Sequence, residues 1–264
     1  VRMLDRLVRL AASGLILAGA ATAAGASELR ADTACTVARE MRGFAGDLAA
    51  SRSLIADGGK LTVVALGSSS TFGVGSSSQD RTYPAILRQE LGRLLPGHQI
   101  EVVNAGIAGN SAHQMYQRID DDVLGEEPKL VIWQTGIFDA INDVGIDRFK
   151  RILRKGIAKL REAGVDVVLM DQIPLPRMER FPSYPAYVAA LHEVAVETGT
   201  PVFRRNDMVA MLLGEGRLRP EEVLPAEGQQ HQVDASYYCV GVNLARTLAE
   251  KLSPRAVPEV AVTR

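Results

Sequence analysis

Leu61-Thr62-Val63-Val64-Ala65-Leu66-Gly67-Ser68-Ser69-Ser70-Thr71 decides how this chain is read. An apolar, β-branched run stops at Gly67 and delivers a row of hydroxyls just beyond it. Continuous apolar runs of this length suit parallel strands covered on both faces. In open α/β sheets ligands bind outside the carboxyl ends of the strands. A hydroxyl at that point is held by rigid backbone and still reachable by substrate, which makes Ser69 a candidate nucleophile.

Working outward, the pattern predicts strands over Leu61–Leu66, Ile100–Asn104, Leu130–Gln134, Val165–Met170 and a short Pro201–Phe203. Amphipathic stretches lie between them at Tyr83–Leu95, Ala112–Val123, Asp147–Glu162 and Tyr184–Glu197, and a final helix is expected over Ala235–Leu252. Repeated βα units with right-handed crossovers give a parallel sheet with helices on both sides. Two connections are long, Asp171–Pro185 and Leu213–Gln230, and long loops at strand carboxyl ends often shape binding sites. No internal repeat, low-complexity tract or linker divides the chain. The expected organisation is an N-terminal arm and helix over 27–60, one domain over 61–252 and a tail over 253–264.

Residues 1–26 read as a cleavable signal peptide. Arg2, Arg6 and Arg9 form a basic start, Leu10 through Ala23 is uncharged and apolar, and Ala24-Gly25-Ala26 supplies the small residues of a cleavage site. The apolar stretch falls short of the roughly 20 residues that span a bilayer. No transmembrane span is expected after cleavage, and the expected location is secreted or periplasmic. In such an oxidising compartment the two cysteines, Cys35 and Cys239, are expected to pair, the other reading being two buried thiols. A bridge would tie the N-terminal arm to the last helix. Formal net charge is −1 and basic residues do not cluster with aromatics, which argues against nucleic acid as a partner.

Three strand ends carry distinctive residues. After the first comes Gly67-Ser68-Ser69-Ser70-Thr71, after the second Asn104-Ala105-Gly106-Ile107-Ala108-Gly109-Asn110, and the third runs Trp133-Gln134-Thr135-Gly136-Ile137-Phe138-Asp139. Far downstream, His231 precedes the last helix in Glu227-Gly228-Gln229-Gln230-His231. A serine hydroxyl is a poor nucleophile until an imidazole takes its proton. The tetrahedral intermediate then needs donors aimed at its oxyanion, which backbone N–H groups in glycine-containing turns supply. A carboxylate behind the histidine fixes its tautomer. The other histidines, His98, His113 and His192, fall on predicted loop or helix surfaces without metal-ligand spacing.

With these residues in this order, the chain resembles the SGNH (GDSL-like) hydrolase superfamily over roughly residues 61–250. The family's Gly-Asp-Ser-x-Thr reads here Gly67-Ser68-Ser69-Ser70-Thr71, so Ser69 matches the nucleophile. Gly109 matches the oxyanion glycine of the second motif, and His231 matches the base of the last. The resemblance implies a flavodoxin-like three-layer α/β/α sandwich with a five-stranded parallel sheet, and an oxyanion hole built on the N–H groups of Ser69 and Gly109.

The departures are specific. Phe138 stands where the third motif holds Asn, and Gly228 where an Asp should precede the histidine by three residues. Loss of an oxyanion side-chain donor costs on the order of 10²–10³ in rate, and loss of the triad carboxylate roughly 10⁴. Glu227, one position earlier and longer in reach, is the candidate replacement for the carboxylate; Asp171 at the end of the fourth strand is a lesser one. Asn110 beside Gly109 is a candidate replacement donor, the alternative being a plain turn role. Asp234 reads as the N-cap of the last helix.

The resemblance therefore implies an exported serine hydrolase that cleaves a carboxylic ester through an acyl–Ser69 intermediate, with no cofactor and no metal. Export and family analogy suggest a small-molecule or glycan acyl ester as substrate. Two alternatives share the scaffold: a degenerate, non-catalytic protein that binds a glycan or protein partner, and an acyltransferase using the same acyl-enzyme. The oligomeric state is not legible.

Overall fold

The computed structural model describes residues 34–174, 181–223 and 233–253. The expected signal peptide, most of the tail, Glu227 and His231 lie outside the described residues. Five strands, β1 (Leu61–Gly67), β2 (Ile100–Gly106), β3 (Leu130–Gln134), β4 (Asp166–Met170) and β5 (Val202–Phe203), form one sheet in the order β2-β1-β3-β4-β5. Every pairing is parallel. The order turns back on itself between β1 and β3, and the crevice outside such a reversal is where doubly wound sheets bind ligands.

The helices in chain order are α1 (Arg39–Arg42), α2 (Ala49–Ala56), α3 (Ser69–Phe72), α4 (Tyr83–Leu94), α5 (Ala112–Gln117), α6 (Ile119–Asp122), α7 (Ile137–Ile141), α8 (Ile146–Glu162), α9 (Tyr184–Thr198), α10 (Arg205–Gly214), α11 (Pro220–Val223) and α12 (Asp234–Leu252). Successive strand residues point to opposite faces, and the two cores show it directly. Val63 and Ala65 of β1, Ile132 of β3, Met170 of β4 and Phe203 of β5 join Leu87 of α4, Val209 of α10 and Leu244 of α12. Val64, Leu66, Val131, Trp133 and Leu169 face the other way and meet Met115 of α5, Leu153 of α8 and Leu191 of α9. This is the expected three-layer α/β/α sandwich, with the central strands buried and the edge strand β2 partly open to solvent.

The expected elements are present with shifted ends. β1 and β2 run on to Gly67 and Gly106, because the two strands stay paired through Gly67 and Gly106. The helix expected over Ala112–Val123 is two pieces that meet at Arg118. Its guanidinium leaves the helix surface for the strand ends, donating to the carbonyl oxygens of Gly67 and Ala105. In the connection expected over Leu213–Gln230, α10 extends to Gly214 and α11 occupies Pro220–Val223, while residues 224–230 lie outside the described residues. Asp234 is a second correction: Val233 is the N-cap of α12, with no side-chain cap. The Asp234 carboxylate instead accepts from the backbone N–H of Ser77, at 2.8 Å, and from its hydroxyl, pinning the loop after α3.

Cys35 and Cys239 form the expected disulfide, joining the N-terminal arm to α12. Side chains reinforce it. Asn243 Nδ2 donates to Cys35 O, and Thr247 Oγ1 donates to Arg42 O.

Candidate active site

β1 ends at Gly67, and the chain turns at once into the short helix α3, with Ser68 as its N-cap and Ser69 as its first residue. The turn is built by a residue of the neighbouring strand. Gln134, the last residue of β3, is wholly buried, and its side-chain oxygen accepts from the Ser68 N–H and Ser68 Oγ, each at 3.1 Å, and from Thr71 Oγ1 at 3.2 Å. A backbone N–H only donates, so the Gln134 atom facing it is the carboxamide oxygen. Thr71 Oγ1 also shares a hydrogen bond with Tyr83 OH at 3.0 Å. Ser68 thus supports the turn through both its N–H and its hydroxyl.

Ser69 is half-buried, and among the described residues its hydroxyl has no hydrogen-bond partner. It opens on a cavity of about 200 Å³ lined by Ser70, Val74 and Ile173, by Arg205 and Val209 of α10, by Val223 of α11, and by Val233, Ser236, Tyr237 and Val240 at the start of α12. The second strand end lies against the same turn. Ile107 N donates to Gly67 O at 3.0 Å, and a Cβ on Gly106 would stand 2.2 Å from the backbone nitrogen of Phe72. Only glycine permits that approach. The loop then passes through Gly109, exposed and at φ +83, to Asn110.

Two charged side chains hold this loop. Arg118 Nε donates to Asn110 Oδ1 at 3.0 Å, while Nη2 binds the carbonyl oxygens at the ends of β1 and β2. With its oxygen held, the Asn110 side chain keeps its NH₂ group as the donor that remains. Asp139, fully buried in the third motif, accepts at 2.9 and 3.2 Å from the N–H of Ala112, the first residue of α5, whose N-cap is Ser111 in a capping box with Gln114. Burial pushes the Asp139 carboxyl up to about 6, against the pull of the N–H groups of Ala112, Asp139 and Gly136. Phe138, in the place of the family's Asn, packs against the core on the α8 and α9 side of the sheet.

The structure therefore gathers Ser69, Gly109 and Asn110 around the carboxyl ends of β1 and β2, and leaves Glu227 and His231 outside the described residues. Asp171 is committed elsewhere: Oδ2 pairs with His192 Nε2 at 2.9 Å, and Oδ1 accepts from Asn206 N at 2.8 Å. Among the described residues no group of three or more His, Cys, Asp or Glu is placed to hold a metal ion. Sequence reading missed Gln134, Asp139 and Arg118 as supports and Arg205 as a lining residue. For Gln134 a signal existed, a polar residue closing a wholly apolar strand.

The profile of the non-GDSL lipase-like family matches residues 34–254, the whole sheet and all its covering helices. The chain belongs to that family. The non-GDSL lipase-like family is of the esterase and lipase type, acting on ester bonds, and falls within the wider SGNH (GDSL-like) superfamily. The family's label fits the first motif, where Ser68 replaces the usual Asp. No curated protein matches the chain in sequence. Among solved structures, a protein assigned to the G-D-S-L family of lipolytic proteins, from Desulfitobacterium hafniense, is 26% identical, with a TM-score of 0.58 over 71% of this chain and 99% of that one. A two-domain esterase active on acetylated mannans superimposes with a TM-score of 0.65 at 20% identity, over 83% of this chain and 58% of its own. An acetylxylan esterase from Geobacillus stearothermophilus gives 0.59 at 20% identity, over 71% and 94%. These last two likenesses concern the fold. No helix among the described residues is long and apolar enough to cross a membrane.

Proposed function

We propose that this non-GDSL lipase-like protein is a serine esterase with Ser69 as nucleophile. The observation that carries the proposal is the Ser69 hydroxyl, unpartnered among the described residues, set on the first turn after β1 and opening on a cavity beyond the carboxyl end of that strand. In the proposed reaction Ser69 Oγ bonds to the ester carbonyl carbon and gives its proton to His231. The tetrahedral oxyanion is held by the N–H groups of Ser69 and Gly109, with the Asn110 amide as the replacement for the donor that Phe138 lacks. Collapse breaks the carbon–oxygen bond of the ester, and His231 returns the proton to the leaving alcohol. Water, deprotonated by the same imidazole, then releases the acid from Ser69. Glu227 is the proposed orienter of His231.

For the substrate we propose an acyl ester on a carbohydrate outside the cytoplasm, reached after removal of residues 1–26. Its support is the likeness to esterases of acetylated mannan and acetylxylan, together with the basic and apolar leader.

Short 4-nitrophenyl esters offered to the parent protein and to Ser69→Ala test the assignment. The expected result is hydrolysis by the parent, loss of about 10³-fold or more in the variant, and fluorophosphonate labelling at Ser69 alone. Equal rates for the two proteins would remove Ser69 from the mechanism. Phe138 and Gly228 favour a second reading, a binding protein without turnover. That reading predicts no labelling by the probe.

A further inference from the structure

The cavity beside Ser69 has an inner wall that ester hydrolysis does not use. Arg205, the first residue of α10, is 1% exposed, and among the described residues its Nε and Nη2 have no hydrogen-bond partner. The polar groups around it are already occupied. Tyr83 OH is paired with Thr71, Tyr184 OH donates to Ile173 O, and Tyr237 OH donates to Val74 O. The carboxylate acting on Arg205 is that of Asp171, whose two oxygens serve His192 and Asn206. Burial drives the guanidinium below its ordinary value and pushes the three tyrosine hydroxyls above theirs.

An unpaired buried cation is costly, and removing such a charge is often stabilising. A guanidinium also presents a planar fork that matches a carboxylate. The remaining walls are mostly hydrocarbon, from Val74, Ile173, Val209, Val223, Val233 and Val240, with Ser70, Ser236 and Tyr237 between them. At ~30 Å³ per water-sized group the cavity holds roughly seven such groups. A hydroxyl at one side, aliphatic walls and a cation inside are the complement of a short chain that carries an ester at one end and an anion at the other.

We propose that this cavity is a carboxylate-recognising acyl pocket: the preferred acyl group is a short dicarboxylic half-ester whose free carboxylate pairs with Arg205. The proposal rests on Ser69 as nucleophile for its catalytic meaning, but not for its binding.

Two measurements keep these apart. In turnover, the half-ester 4-nitrophenyl hydrogen glutarate is compared with 4-nitrophenyl pentanoate, which has the same chain without the carboxylate. A preference in kcat/KM of about 10- to 100-fold is expected for the half-ester, the worth of a charged hydrogen-bonded pair. In Arg205→Met the ratio should fall to near one, and Arg205→Lys should restore part of it. In binding, free glutarate titrated calorimetrically into Ser69→Ala should give heat that vanishes in Ser69→Ala/Arg205→Met. Glutarate binding without esterase activity would sink Ser69 and leave the pocket. An active enzyme with no half-ester preference and no glutarate binding would overturn the pocket and leave Ser69. An acetyl ester of a uronic acid preferred over that of the neutral sugar, with no half-ester preference, would put the carboxylate on the alcohol and also overturn the acyl assignment. Arg205→Met should melt higher than the parent; a lower melting temperature with an unchanged substrate ratio would make Arg205 structural.

Discussion

Gln134 accepts two hydrogen bonds from Ser68, one from its N–H and one from its hydroxyl, across the gap between β3 and β1. The nucleophile's turn is therefore shaped by a side chain from the neighbouring strand, 66 residues away in sequence. Gln134→Met leaves the donors of Ser68 and Thr71 without their buried acceptor. A stability loss on the order of 2–3 kcal/mol is expected in urea unfolding, together with a lower kcat on 4-nitrophenyl esters. Stability and kcat both unchanged would show that the turn stands without this acceptor.

Gly106→Ala should disturb Ser69 without altering any polar side chain. A methyl group there would meet the backbone of Phe72 and Thr71, at 2.2 and 2.6 Å, and backbone cannot swing aside as a side chain does. The α3 turn must shift, and a misplacement of about 1 Å can cost on the order of 10² in rate. Kinetics on a short ester, with the melting temperature recorded alongside, checks this. Unchanged kcat would contradict it.

Asp139 should make stability fall as pH rises through its own titration. Its folded pKa, about 6, lies above the ordinary 3.8, so the folded state holds the proton more tightly than the unfolded chain. Below about pH 4 both states are protonated and there is no penalty; above about pH 6 the penalty is full, on the order of 3 kcal/mol. Asp139→Asn cannot titrate. The stability of the parent relative to this variant should therefore decline between pH 4 and 7, as read from urea unfolding at each pH. A difference that is flat across this window would remove the strained carboxylate.

Cys35 and Cys239 close a loop spanning 204 residues of sequence. The paired substitutions Cys35→Ser and Cys239→Ser should cost about 3–5 kcal/mol. Denatured but unreduced protein should show no reactive thiol, since these are the only cysteines in the chain. Two labelled thiols would contradict the bond.

Much of the fold was legible because its signals are local. The five strands read as apolar runs, and alternate residues within each run do face the two separate cores. The Gly67-to-Thr71 stretch marked a strand end and its serine without any knowledge of the sheet. The errors fell where a side chain left its own element. Arg118 breaks a helix to serve strands β1 and β2, and Asp234 ignores its own helix to bind Ser77. α10 was missed because its apolar face is short and its first residues, Arg205 and Asn206, look like a polar loop.

What the amino-acid order determined by itself was the alternation of strand and helix, the place of Ser69 and the pairing partners available to two cysteines. Only the folded chain decided that Gln134 would reach Ser68, that Asp139 would hold Ala112, and that Arg205 would end inside rather than in water. The reason is one of range. Periodicity is set by neighbours a few residues apart, whereas those three positions depend on strand order, which brings β3 beside β1 and sets α10 under the cavity. A polar residue carries no local mark of whether it will be solvated or buried beside a nucleophile.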